Sequence, residues 1–328
     1  MYKLIIGDIY IVIIIYYYLM LSDDQYEKDA ATLRKAMEGW GTDEGPIIEL
    51  TAKRTNADRQ KIMKFYKTCY GRDCLKDLQD ELSGDLKRCV IAMFKTPVDY
   101  DTELIHGAMK GMGTDEELLV EIICSSTPSH LEKIKKRFEE LYKKTLESEL
   151  EDELSGDLQR LMIAYIAGGK SDDTTVNKEK CDVDVKNLYE AGEGQLGTDE
   201  SAFIKIFSLR SPAEIRYIDK AYAKYCGKSL YEVVSDEFSG DIKRALKTIL
   251  HVTINPTDFF TERIKKACKG LGTDEDALTR VFVRRDEIDL KDIKKLYLEK
   301  YQITLYQEIS DECSGDYKKI LLQIAATD

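Results

Sequence analysis

The sequence predicts an all-α protein made of four helical repeats, and three observations carry that reading. A glycine turn recurs four times, as Gly39-Trp40-Gly41-Thr42, Gly111-Met112-Gly113-Thr114, Gln195-Leu196-Gly197-Thr198 and Gly270-Leu271-Gly272-Thr273. From Gly41 to Glu81, Gly113 to Glu153, Gly197 to Glu237 and Gly272 to Glu312 the step is 40 residues, so an acid stands at one distance from each turn. Only five prolines occur in 328 residues, and no long stretch alternates polar with apolar, which argues for helix over strand. The intervals between turns divide a chain too long for one simple core into units of about 70 residues.

The elements follow in order. Residues 1–24 are an apolar tail, whose run 9–21 (IYIVIIIYYYLML) is too short to span a bilayer. It resembles a signal-peptide core without a small-x-small cleavage site, and its β-branched and tyrosine content also suits a strand or an aggregation-prone tail. A start codon assigned upstream of the true one is the third reading. Repeats are expected over 25–96, 97–167, 183–254 and 255–328, with the polar stretch 168–182 (GGKSDDTTVNKEKCD) as a linker.

Within each repeat, Leu33, Ala36 and Met37 recur as Ile105, Ala108 and Met109 and as Ile264, Ala267 and Cys268, one face of a helix that ends at the turn. Leu188 and Ala191 sit one residue further back, so the third loop is longer by one. After the turn, Thr42, Thr114, Thr198 and Thr273 are predicted helix N-caps, with Thr114 and Glu117 forming a capping box. The next helix buries Ile47 and Ile48, with counterparts at Leu119, Ile122, Phe203, Phe207, Val281 and Phe282. Each acid then begins a second stop, as in Glu81-Leu82-Ser83-Gly84-Asp85, before a last helix faced by residues such as Leu86, Cys89, Val90 and Met93. The span between turn and acid holds about three helices at 1.5 Å rise per residue, one short and transverse. Five helices per repeat are expected, with turn and acid at one end.

Composition excludes several function classes. A net charge of −12 argues against a nucleic-acid binder and against holding anionic membrane by bare electrostatics. Eight cysteines without a CxxC pair, and only His106, His130 and His251, leave no zinc spacing and point to reduced thiols. The histidines have no nucleophile at motif spacing, and no phosphate loop or EF-hand run occurs, so no enzyme is expected.

The turn and its distant acid suit calcium, a hard cation that takes six to eight oxygens. A Gly-x-Gly turn aims backbone carbonyls at one point, and a single carboxylate leaves the ion a net positive charge and open positions. A lone copy would as readily be a helix stop followed by a cap. Four copies in one register favour the ion.

The Lys-Gly-x-Gly-Thr-Asp-Glu loops and their spacing resemble the annexin family over roughly residues 25–328. The resemblance implies the annexin fold: four five-helix repeats in a curved disc, with calcium loops on the convex, membrane-facing side. It also implies carbonyl ligands at Met37, Gly39 and Gly41 with the Glu81 carboxylate, and at Met109, Gly111 and Gly113 with Glu153. The third set is Gly192, Gln195 and Gly197 with Glu237, and the fourth Cys268, Gly270 and Gly272 with Glu312. The implied activity is calcium-dependent binding to anionic phospholipid, in a cytoplasmic monomer that turns peripheral on membranes when calcium rises and assembles laterally there. Secretion is the variant if residues 1–24 act as a signal. An arginine of the family's central channel matches Arg54, Arg210 and Arg285 but is Ser126 in the second repeat, which weakens an ion-conducting reading. The alternative is a helical scaffold that organises cytoskeletal or other protein partners, with membrane binding secondary. The tips Trp40, Met112, Leu196 and Leu271 are expected to be exposed and to enter lipid.

Overall fold

The structure, a computed structural model, describes residues 23–111, 113–168, 170, 172–270 and 272–326. The tail readings over 1–22 and the tips Met112 and Leu271 lie outside those residues. Among the described residues the chain forms twenty helices and no strand, five to each repeat.

Repeat 1 comprises α1 (23–36), α2 (Glu44–Lys53), α3 (Asn56–Tyr70), α4 (Cys74–Glu81) and α5 (Gly84–Phe94). Repeat 2 runs through α6 (Pro97–Ala108), α7 (Glu116–Ser125), α8 (Pro128–Tyr142), α9 (Leu146–Glu153) and α10 (Gly156–Ala167). Repeat 3 is α11 (Lys178–Ala191), α12 (Glu200–Leu209), α13 (Pro212–Cys226), α14 (Leu230–Glu237) and α15 (Gly240–Ile254). Repeat 4 is α16 (Pro256–Ala267), α17 (Glu275–Arg285), α18 (Leu290–Tyr301), α19 (Leu305–Glu312) and α20 (Gly315–Ala326). The fourth helix of every repeat ends on the acid that the spacing marks. Helix α11 begins within the polar stretch 168–182, because the Asn177 side chain caps it by accepting from the Lys180 N–H.

The predicted apolar faces are the cores. Leu33, Ile105, Leu188 and Ile264 are fully buried, as are Tyr66, Phe138, Tyr222 and Tyr297, one large ring from the third helix of each repeat. Burying such a side chain stabilises by about 1.5–3 kcal/mol, so these rings fix how that helix sits.

The N-cap expectation is corrected. The caps are Asp43, Asp115, Asp199 and Asp274, one residue later, and Asp115 accepts from the Leu118 N–H where a Thr114–Glu117 capping box was expected. The threonine hydroxyls are engaged elsewhere, as described below, and the aspartates also favour the positive helix ends by charge.

The chain divides into two compact units. One contains the described residues up to Thr96 and from Thr261. There α2 packs on α20 and α5 on α17. Arg88 pairs with Asp85 of its own helix and reaches Asp276 at 2.8 Å. Buried Arg59 donates to the Met93 and Thr51 carbonyls at 2.7 and 2.8 Å, and Glu287 accepts from the Asn56 N–H at 2.5 Å. Beside them, burial pushes the Asp286 carboxyl up to about 6 despite the pull of Arg59.

The other unit is Pro97–Phe260, in which α7 packs on α15 and α10 on α12. Its two repeats differ at one internal tie. In repeat 3 Arg210 pairs with Asp184, as Arg54 pairs with Asp29 in repeat 1. In repeat 2 the arginine is Ser126, whose hydroxyl turns back to the Ile122 carbonyl, and the buried Asp101 is met instead by His130 at 2.9 Å.

Candidate metal centre

Each centre starts where a repeat's first helix runs out. The Asp43 N–H donates to the Ala36 carbonyl at 2.9 Å, and the same closure recurs from Asp115 to Ala108 at 2.8 Å, Asp199 to Ala191 at 2.7 Å and Asp274 to Ala267 at 2.8 Å. The same closing bond is therefore made four times, with the third loop spanning one residue more. Gly39 and Gly41 hold φ of +103° and +87°, a region that costs an L-residue about 1–2 kcal/mol. A β-carbon at either would meet nothing within 4 Å, so backbone conformation rather than crowding requires glycine there.

The distant acids lie against these loops. Thr42 Oγ1 donates to Glu81 Oε2 at 2.9 Å and lies 3.3 Å from the Glu81 carbonyl. Thr114 makes the pair to Glu153 at 2.9 and 3.4 Å, and Thr198 to Glu237 at 2.6 and 3.4 Å. In the fourth centre Thr273 donates to the Glu312 carbonyl at 2.9 Å. The threonine is a strut between the two halves of each centre, a role that sequence reading missed. The signal was present: Thr and Asp stand side by side after every turn, both are capping residues, and only one can cap.

Glu81, Glu153, Glu237 and Glu312 have no ion-pair partner among the described residues, while carboxylates close by in the chain do, such as Asp85 with Arg88 and Asp157 with Arg160. A carboxylate held beside a turn and outside any ion pair suits a cation of hard-oxygen preference. The fit is chemical: one charged oxygen donor and a turn rich in backbone carbonyls.

The predicted residues fall as follows. Met37, Met109 and Cys268 are buried at the foot of their loops, so only backbone carbonyls are offered from those positions. Gly39, Gly41, Gly111, Gly113, Gly197, Gly270 and Gly272 all have positive φ in the loops. The third loop is built differently. Gly192 has φ −117°, and its carbonyl accepts from the Gln195 N–H at 3.1 Å; the Gln195 side chain donates to the Ala191 carbonyl at the same distance. Lys228 pairs there with Glu193 of the loop and reaches Asp236, next to Glu237, at 3.4 Å. A carbonyl has two lone pairs, so the Gly192 turn bond leaves one for a ligand.

Trp40 and Leu196, at two of the tips, are fully exposed. Cys268 and Cys313 flank the fourth centre, and burial pushes their thiols up to about 12 and about 11, so neither is a thiolate at neutral pH. No helix among the described residues is long and apolar enough to cross a membrane.

The profile of the Annexin family matches residues 28–93, 100–165, 183–249 and 259–324. Human annexin A7 is 41% identical over 297 residues, which are 90% of this chain and 61% of that protein. Mouse annexin A13 is 39% identical over 298 residues, 91% of this chain and 94% of that one. The chain thus spans about three fifths of the annexin A7 relatives' length and nearly all of annexin A13. Among solved structures, annexin III superposes with a TM-score of 0.89 at 34% identity, covering 92% of this chain and 94% of that one. Calcium-bound annexin (Sm)1 superposes at 0.83 with 27% identity, over 92% and 90%.

Proposed function

This chain belongs to the annexin family, whose members are generally calcium-dependent phospholipid binders rather than enzymes, and on that premise we propose how its four centres work. Each centre holds one calcium ion through loop carbonyls and one distal carboxylate: Met37, Gly39, Gly41 and Glu81; Met109, Gly111, Gly113 and Glu153; Gly192, Gln195, Gly197 and Glu237; Cys268, Gly270, Gly272 and Glu312. A single carboxylate leaves a divalent ion with a net positive charge and unfilled positions, and lipid phosphate oxygens supply what the protein does not. The ion so bridges two acidic partners, a chain of charge −12 and an anionic bilayer, that would otherwise repel.

The observation that supports this most is that each distant glutamate is tied to its own glycine turn through a threonine, by its carboxylate in the first three centres and by its carbonyl in the fourth. Trp40 and Leu196 would lie at the lipid interface, each adding at most about 1.5–3 kcal/mol if fully buried. The third centre is the weakest for the ion, because the Lys228 ammonium pairs with Glu193 of its loop and with Asp236, the residue before its acid. We place the protein in the cytoplasm, peripheral on membranes when calcium rises.

Sedimentation with phosphatidylserine vesicles tests the reading. The protein pellets with vesicles in calcium and returns to the supernatant with EGTA. Pelleting that EGTA leaves unchanged would reject the bridge.

A further inference from the structure

The segment that joins α10 to α11 holds an amine in unusual surroundings. A β-carbon on Gly168 would come within 2.4 Å of the Ser208 carbonyl, so the chain leaving α10 runs hard against the last turn of α12. That approach delivers Lys170 to the Phe207 carbonyl, which accepts from its Nζ at 2.7 Å and is one of the last four carbonyls of α12, those without an intrahelical donor. The same Nζ lies 3.4 Å from the centroid of the Tyr165 ring.

An ammonium has three donors, and this one meets a single carbonyl and an aromatic face. No carboxylate lies within ion-pair distance of Lys170 among the described residues. Asp172 and Asp173, next along the chain, accept instead from the Ser129 and Thr175 N–H groups, at 3.2 and 3.0 Å. Other half-buried lysines are held differently: Lys135 pairs with Glu147 and Lys265 with Glu308, at 2.9 and 2.7 Å. Lys170 as a whole residue is partly exposed.

We propose that Lys170 is a modification site, an amine selectively reactive toward activated acyl donors such as thioesters. The neutral amine attacks the thioester carbonyl; the C–N bond forms, the C–S bond breaks, the nitrogen loses its proton and the sulfur leaves as the thiol. Desolvation against Tyr165 and the end of α12 favours the neutral, nucleophilic form and pushes the ammonium down to about 7, although the aromatic face and the helix C-terminus partly retain the charge. Exposed lysines are almost wholly protonated at that pH. Acylation removes the charge from the junction of α10 and α12 and leaves one N–H for the Phe207 carbonyl.

The test treats the full-length protein with limiting acetyl-coenzyme A alone at pH 7.5 and maps acetylated peptides by mass spectrometry. Lys170 is acetylated about tenfold or more faster than the exposed Lys295, and the preference disappears in urea. Labelling of Lys170 at or below the rate of Lys295, or a preference that survives urea, overturns the proposal. As a second measure, Gly168→Ala pushes the segment away from Ser208 and lowers the Lys170 rate toward that of Lys295. An unchanged rate in that variant removes the junction as the cause and so overturns it too.

Discussion

Glu81, Glu153, Glu237 and Glu312 stay outside the ion pairs that carboxylates a few residues away make; the first three carboxylates accept from a threonine hydroxyl, and in the fourth the hydroxyl meets the Glu312 carbonyl. The threonine both positions the acid and ties it to the turn. Replacing Thr42 with valine keeps the shape and removes the bond, which is worth about 0.5–1.5 kcal/mol. Calcium affinity at the first centre is expected to fall several-fold, read from Trp40 fluorescence, while Thr42→Ser binds nearly as the parent does; equal binding by the valine variant contradicts the strut. Asp286 offers a second residue-scale test. Its carboxyl is raised from 3.8 to about 6 by burial, so the folded chain holds a proton that the unfolded chain gives up. The stability linked to that proton is fully present below the unfolded value and is lost as pH rises through about 6. Asp286→Asn should therefore raise the melting temperature at pH 7.5 and change it little below pH 4. A variant that melts lower at pH 7.5 shows that the charge is a net gain beside Arg59.

At the scale of elements, the four loop closures between Asp and the last helical Ala carbonyl make each turn part of two helices at once. Loss of the Asp43 cap by Asp43→Ala is expected to cost about 0.5–2 kcal/mol, measured by denaturant unfolding, because it frees the start of α2. A loss within error would mean that the loop's other bonds hold the helix start. Much of this was legible in the sequence. The step of 40 residues, the apolar faces ending at Met37, Met109 and Cys268, and the longer third loop all reappear as helices and turns, because 3.6-residue periodicity and glycine at positive φ are local requirements. The caps were misassigned by one residue because Thr and Asp compete for the same job, and only the position of the distant acid decides which is free for it. Nor could the sequence show Lys228 reaching Glu193, since that contact joins two loops 35 residues apart. Lys228→Met should strengthen calcium binding at the third centre by removing a like charge, and an unchanged or weaker centre would assign Lys228 a supporting role.

For the whole molecule, charge decides what kind of membrane contact is workable. A protein of net charge −12 gains nothing from an anionic surface until cations intervene, and four centres of one carboxylate each are suited to ions that remain partly unsatisfied. Linkage then requires reciprocity: if calcium strengthens the hold on lipid, lipid must strengthen the hold on calcium by the same factor. The most direct measurement is the calcium-binding isotherm of the full chain with and without phosphatidylserine vesicles, after correction for calcium bound by the vesicles alone. The account predicts an affinity at least about tenfold higher with vesicles, a gain of about 1.4 kcal/mol or more per ion, and no such gain when Glu81, Glu153, Glu237 and Glu312 are all glutamine. Superimposable isotherms with and without vesicles would contradict it.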